Sequence, residues 1–260
     1  MPEGDTVFRA AARLRDALAG NTLTVCDVRV PRYATVDLTG HSVDSVVSRG
    51  KHLFVRAGPA SVHTHLKMEG VWHVYAPGER WRRPAFTARL LLGVDGALAV
   101  GFSLGKVEVL AREREFDAVA HLGPDLLGPD WDRAEAVRRL AADPDRPIGL
   151  ALLDQRNLAG IGNIFRNESC WLARVDPRAR TGDVADLGFL VDEAQRILGD
   201  SAKVRIHKPM VYGRAGMPCP RCHTRILTDL FGEGPTEAAG SLRKLRSEER
   251  RIYWCPRCQA

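Results

Sequence analysis

His121-Leu122-Gly123-Pro124-Asp125 divides the 260-residue chain into two textures. Gly-Pro-Asp punctuation of this kind interrupts regular structure. On its N-terminal side, apolar residues recur in short runs at 23–30, 43–47, 52–55, 71–75, 86–92 and 107–110. Runs of about four to eight residues bounded by turn residues predict strands. Val94-Asp95-Gly96-Ala97 separates two apolar runs and predicts a hairpin turn. One helix comes first. Val7, Ala10, Ala11, Leu14, Ala17 and Leu18 share a face at helical spacing. That predicts a helix over 6–19, capped by Asp5 or Thr6 and ended by Gly20. A helix followed by many short strands predicts a sandwich or barrel up to about residue 115.

On the C-terminal side the pattern is helical, with helices predicted over 131–142, 148–155, 163–172 and 184–198. Between the second and third lies Arg156-Asn157-Leu158-Ala159-Gly160-Ile161-Gly162, where two glycines permit a tight reversal. The chain then turns basic. Residues 201–260 hold 12 Lys/Arg and 5 Asp/Glu, leaving 26 basic and 27 acidic residues in the first 200. The net charge of +6 therefore sits in the tail, the footprint of either a nucleic-acid-binding module or a solvated basic face.

The same tail carries Cys219-Pro-Arg-Cys222 and Cys255-Pro-Arg-Cys258. Two Cys-x-x-Cys knuckles predict one structural zinc ion held by four thiolates. Thirty-two residues separate Cys222 from Cys255, against about 15–20 in the usual ribbon. Gly232-Glu233-Gly234-Pro235 and Ala238-Ala239-Gly240-Ser241 suggest an inserted loop there. Cys26 and Cys170 lack ligand-like spacing and are expected to be buried small hydrophobes. A hydrophobic content of 45% with 27% charged residues excludes a disordered or collagen-like chain. No apolar run reaches the roughly 18–20 residues of a membrane helix. The acidic start Met1-Pro2-Glu3-Gly4-Asp5 does not resemble a secretory signal, so the expected compartment is the cytoplasm.

Five segments together point further. Pro2-Glu3-Gly4-Asp5-Thr6-Val7 opens the chain. Ser48-Arg49-Gly50-Lys51-His52-Leu53 and His65-Leu66-Lys67-Met68-Glu69-Gly70 follow. Then come Asp154-Gln155 with Leu158-Ala159-Gly160-Ile161-Gly162-Asn163-Ile164, and Val211-Tyr212-Gly213-Arg214 before the cysteines. In this order they resemble the bacterial formamidopyrimidine-DNA glycosylase/endonuclease VIII family over essentially the whole chain.

The resemblance implies an α+β multidomain fold. An N-terminal β-sandwich with a leading helix would occupy 1–115, and a linker 116–127. A helix–two-turn–helix domain would span 128–212, and a zinc-finger module with an inserted loop 213–260. It also implies a monomeric, bifunctional DNA glycosylase and abasic-site lyase of base excision repair. The partner would be damaged DNA, double- or single-stranded, with no membrane involved.

Residue roles follow from the resemblance and have a chemical logic. Removal of Met1 would make Pro2 a secondary amine, and an α-amino group with a pKa near about 7.7–8.0 is partly unprotonated at neutral pH. Such an amine can attack a sugar C1′ and form an iminium ion. Glu3 would protonate the sugar ring oxygen and move protons during strand cleavage. Lys51 would act at the phosphate beside the lesion as a proton donor or contact. Lys67, Met68 and Glu69 would supply the residues that fill the gap left by an extruded base, a role suited to the unbranched Met68. Asn163 at a helix start and Arg250 before Cys255 would grip phosphates, with Arg251 a rival. Family members of the formamidopyrimidine branch use an Arg/Phe pair where this chain has Gly101-Phe102-Ser103-Leu104-Gly105-Lys106. Its absence favours the endonuclease VIII branch and oxidised pyrimidines. The competing readings are 8-oxoguanine or formamidopyrimidine as the main substrate, a non-catalytic zinc protein that binds damaged DNA, and a thiol redox protein.

Overall fold

The computed structural model describes residues 2–204, 208–232 and 250–260. It forms two compact units, Met1–His121 and Leu122–Ala260.

The first unit opens with α1 (Gly4–Leu18), which starts before the predicted Thr6. Neither Asp5 nor Thr6 caps it. Glu3 is the extended cap residue, and its carbonyl accepts the N–H groups of Thr6 and Val7 at 3.1 Å. Asp5 instead pairs with Arg9 at 2.9 Å inside the first turn. Gly20, at φ +79°, ends the helix in a conformation that costs a residue without Cβ little. Val7, Ala10, Ala11, Leu14 and Leu18 are buried on the predicted face.

Eight strands follow: β1 (Val25–Val28), β2 (Val43–Arg49), β3 (His52–Ala57), β4 (Ala60–His65), β5 (Val71–Tyr75), β6 (Ala88–Val94), β7 (Ala97–Phe102) and β8 (Lys106–Ala111). They build two four-stranded antiparallel sheets, ordered β1-β6-β7-β5 and β2-β3-β4-β8. The β6–β7 hairpin turns at Gly96, φ +83°, as its Asp-Gly predicts. The two inner faces and α1 share one core that includes Leu14, Val46, Leu53, Val62, Trp72, Leu90 and Leu92. This is the β-sandwich with a leading helix.

Two strand limits differ from expectation for backbone reasons. The run at 86–92 becomes a strand only from Ala88, because Pro84 starts a single 3-10 turn over Ala85–Thr87 and leaves Phe86 89% exposed. Cys26 is half-buried against the core rather than buried, and its thiol pKa is raised by that partial burial. Cys170 is fully buried, as expected, and burial pushes its thiol up to about 12.

The second unit holds α2 (Arg133–Ala141), α3 (Ile148–Leu153), α4 (Asn163–Leu172) and α5 (Leu187–Lys203). The strands β9 (Leu227–Phe231) and β10 (Arg250–Trp254) pair antiparallel. Helices α2 and α5 begin later than predicted because aspartates cap them. Asp132 accepts from the Glu135 N–H at 2.9 Å and Asp186 from that of Phe189 at 2.8 Å. Leu140, Ile148, Leu152, Phe165, Leu190 and Leu198 centre its core. Gly232 is described, but the rest of the expected insert, 233–249, lies outside the described residues. Among the described residues no helix is long and apolar enough to cross a membrane.

Candidate functional site

Pro2 and Glu3 sit at the head of α1. Pro2 is half-buried and Glu3 only 1% exposed. A carboxylate at this end of a helix meets the positive pole of the backbone dipoles. Pro2, whose nitrogen would be a secondary amine once Met1 is lost, and an acid are thus adjacent in sequence and held by one helix start.

The sheet β2-β3-β4-β8 brings three loops to one of its ends. Arg49 pairs with His52, so Gly50 and Lys51 form the two-residue β2–β3 turn, with Gly50 at φ +55°. His52 pairs with His65, and His65 with Lys106. The 66–70 loop after β4 and the 103–105 loop before β8 therefore leave the sheet beside the Lys51 turn. Lys51 is half-buried; Lys67, Met68 and Glu69 are all exposed, Met68 by 63%. That exposure removes a core role for Met68. In the 103–105 loop the one large side chain, Leu104, is buried in the sandwich core.

A histidine cluster that sequence reasoning missed lies behind this end. His52 Nδ1 and His63 Nε2 are 2.8 Å apart, and His63 Nδ1 lies 3.0 Å from Glu108 Oε2. Lys106 Nζ reaches the same Glu108 oxygen at 2.9 Å. Burial raises the Glu108 pKa, but hydrogen bonds from Lys106 and His63 outweigh it and leave the carboxyl below its ordinary range. The carboxylate makes His63 Nδ1 a donor and its Nε2 the acceptor for His52. Burial first, then the neighbouring cations and rings, lower His52 to about 3 and His65 to about 4. The signal was present in the alternation of His63 with His65 and of His52 with Phe54, which puts all four rings on one sheet face. Only the register between strands brings them together.

In the second unit, the turn between α3 and α4 is stapled by Gln155. Its Nε2 donates to the carbonyls of Leu153 (2.9 Å) and Ile161 (3.0 Å), and its Oε1 accepts the Gly160 N–H at 3.1 Å. Gly160 stands at φ +103°. Asn163, first residue of α4, is buried. Its Nδ2 donates to the Arg251 carbonyl at 3.1 Å, so the side chain is committed to β10. Arg166 also donates to that carbonyl at 3.1 Å and to Asn163 Oδ1. Glu168 accepts the backbone N–H groups of Met210, Val211 and Tyr212 at 2.7–3.0 Å. Arg250 and Arg251 begin β10 and are exposed. The buried polar face of α4 was another omission, since in sequence such a stripe resembles a solvated one.

The four predicted metal ligands converge. The sulfur atoms of Cys219, Cys222, Cys255 and Cys258 all lie within 4.8 Å of one another. A tetrahedral Zn–S length of about 2.3 Å requires sulfurs about 3.8 Å apart, so the cluster fits such an ion. The Thr224 hydroxyl and backbone lower the Cys222 thiol to about 6, whereas burial and the other sulfurs raise Cys258 to about 12. A cation among them would let all four act as thiolates. Trp171 Nε1 donates to Cys219 Sγ at 3.4 Å, tying the cluster to α4.

Residues 1–103 match the family model described as the formamidopyrimidine-DNA glycosylase N-terminal domain. Residues 122–207 match the formamidopyrimidine-DNA glycosylase H2TH domain, the helix–two-turn–helix. The chain belongs to the formamidopyrimidine-DNA glycosylase/endonuclease 8 family, on its endonuclease 8 side. It is 50% identical to the DNA-(apurinic or apyrimidinic site) lyase Nei2 of Mycolicibacterium smegmatis, over 100% of this chain and 99% of that relative. It is 48% identical to the probable endonuclease 8 2 of Streptomyces coelicolor, over 100% of this chain and 94% of that one. Among solved structures, MutM in complex with carbocyclic 8-oxo-G containing DNA matches with a TM-score of 0.80 at 22% identity, over 100% of both chains, a likeness of fold.

Proposed function

We propose that this chain is a bifunctional DNA glycosylase and abasic-site lyase of base excision repair, acting on oxidised pyrimidines. The observation that carries it is Pro2 placed directly before a buried Glu3 at the head of α1, in a chain 50% identical end to end to a relative named as an abasic-site lyase.

After loss of Met1, the Pro2 nitrogen attacks the sugar C1′. The N–C1′ bond forms as the damaged base departs with the glycosidic electron pair. Glu3 protonates the ring oxygen, the sugar opens, and the nitrogen holds C1′ as an iminium ion. Loss of a C2′ proton then expels the 3′ phosphate by elimination, and water releases the enzyme. Lys51, Asn163 and Arg250 hold phosphates around the lesion, and Lys67, Met68 and Glu69 fill the vacated stack. For Asn163 the backbone N–H supports this role, since its side chain is committed to β10.

Zinc fits the four cysteines and is structural in this reading, because four thiolates leave no open position for a water. Oxidised pyrimidines are favoured by a Gly101–Lys106 segment that lacks the Arg/Phe pair and buries Leu104. The enzyme works as a monomer in the bacterial cytoplasm, residues 1–115 supplying the chemistry and 128–260 most of the phosphate grip.

Borohydride trapping tests this on protein whose intact mass shows Met1 removed. Duplexes and single strands carry an abasic site, an oxidised pyrimidine, or 8-oxoguanine opposite cytosine. The expected result is a covalent adduct, strongest with the pyrimidine lesion among the damaged bases and lost when Pro2 is blocked. No adduct with any substrate, despite a free Pro2 and bound zinc, would leave a non-catalytic DNA-binding relative.

A further inference from the structure

We propose that His65 is the positioning residue of the void-filling loop: its ring nitrogen locks Lys67 in a left-handed backbone conformation and so aims Met68. This rests on the glycosylase reading above and adds to it what holds the wedge.

His65 closes β4, and its Nδ1 accepts the backbone N–H of Lys67 at 2.9 Å. Lys67 stands at φ +56°, a region that L-residues with a side chain enter only when something holds them there. Two glycines complete the lock. The Gly70 N–H donates to the Leu66 carbonyl at 3.0 Å, and a Cβ on Gly70 would lie 2.4 Å from that oxygen. A Cβ on Gly105 would lie 2.2 Å from Lys67 Cγ and 2.5 Å from its Cβ. The Lys67 stem therefore rests on the backbone of the 103–105 loop. Leu66 is anchored in the sandwich core, and Met68 is left projecting.

His65 is itself well held. It pairs in register with His52 on one side and Lys106 on the other, and its ring meets the His52 ring edge-on at 5.0 Å. Burial, then Lys67, Lys51, His63 and Lys106, keep it neutral, so Nδ1 retains the lone pair the Lys67 N–H requires. A wedge set before DNA arrives loses little conformational freedom when it enters the stack. The 103–105 loop thus takes a supporting role here, as the floor under Lys67.

The test separates base extrusion from imine chemistry, since an abasic site has no base to evict. The zinc-loaded full chain is assayed on a duplex with an oxidised pyrimidine and on the same duplex with an abasic site. His65→Leu removes the acceptor. It is expected to slow excision of the base at least about tenfold, as a misplaced substrate-positioning group does, and to leave abasic-site trapping unchanged. His65→Asn carries its Oδ1 at the same bond distance from Cα as Nδ1 and should restore excision. Gly105→Ala, which displaces Lys67 and meets His65 only at its backbone oxygen, at an ordinary contact distance of 3.7 Å, should reproduce the split. Equal losses on both substrates, no loss on either, or failure of Asn to restore would overturn the assignment. Wild-type protein that traps neither substrate would instead overturn the glycosylase reading itself.

Discussion

Asn167 Oδ1 accepts the backbone N–H of Tyr253 at 2.7 Å. Two residues earlier on the same strand, the Arg251 carbonyl accepts from Asn163 and Arg166. On the other edge of β10, Ile252 faces β9, its carbonyl accepting the Thr228 hydroxyl at 2.8 Å. Helix α4 thus does for β10 what a third strand would do, and Asn163, Arg166 and Asn167 reach it from one helix face. This fixes the strand that starts with Arg250.

Removing that cover should loosen the strand and its arginine together. Asn167→Ala leaves the N–H of the half-buried Tyr253 without its partner, a loss of at most about 1–3 kcal/mol. In a chain of this size that lowers the melting temperature by about 2–4 °C per kcal/mol. Thermal unfolding and fluorescence anisotropy on abasic-site duplex check it, with weaker DNA binding and retained zinc expected.

Cys219→Ser should empty the zinc site we propose, because the Cys219 sulfur stands among the other three and receives the Trp171 N–H. Metal content should fall from one per chain, and affinity for abasic-site duplex with it. Pro2 lies in the other unit, so imine trapping at saturating protein is expected to persist. Retained zinc and undiminished DNA affinity would contradict the structural role of the cluster.

Glu3→Gln keeps the shape of the α1 head but cannot donate the proton that opens the sugar. Base excision is expected to fall by about 10²–10⁴, the usual worth of a positioned acid. A pre-formed abasic aldehyde should still be trapped by Pro2. Single-turnover assays on the two substrates, side by side, measure the difference.

The histidine cluster makes stability depend on acidity. His52, at about 3, and His65, at about 4, stay neutral in the folded chain well below the ordinary histidine value of 6.5, and His63 is lowered too. His52 faces His63, His65, His121 and Lys106; His65 faces Lys51, Lys67, His63 and Lys106; Glu108 and Glu115 oppose the trend at His63. As pH falls below about 6.5 the unfolded chain takes up protons that the folded chain refuses, so stability falls. The ceiling is about 1.4 kcal/mol per pH unit for each histidine, reduced by solvent screening at His52 and His65, whose residues are partly exposed where His63 is buried. Carboxylates held low, Glu108 and Glu115 among them, lose their contribution only below about pH 4.5, so the pH 5–6.5 window isolates the histidines. Melting temperatures across that window should rise with pH, and His52→Phe should flatten the slope.

Much of the molecule was legible in one dimension. The apolar face of α1, the short runs that became strands and the Gly96 turn follow from periodicity and turn chemistry, which act over a few residues. The two CPRC knuckles announced that their four cysteines converge, because each is a local loop with a spacing suited to a metal. Helix starts at Glu3, Asp132 and Asp186 were displaced by two or three residues, since the choice of cap depends on which side chain reaches a backbone N–H.

By itself the sequence determined the helices, the strand runs, the pairing of the four cysteines in two knuckles and the Pro2-Glu3 start of α1. Each of these depends on chemistry between near neighbours. Tertiary structure alone decided that His65, His52 and His63 form one run of rings ending on the Glu108 carboxylate, and that Lys67 rests on Gly105. It also decided that the polar stripe of α4 faces a strand 85–88 residues further on rather than water. Strand register and the covering of a sheet edge join groups that only chain closure brings together, and no local period encodes them.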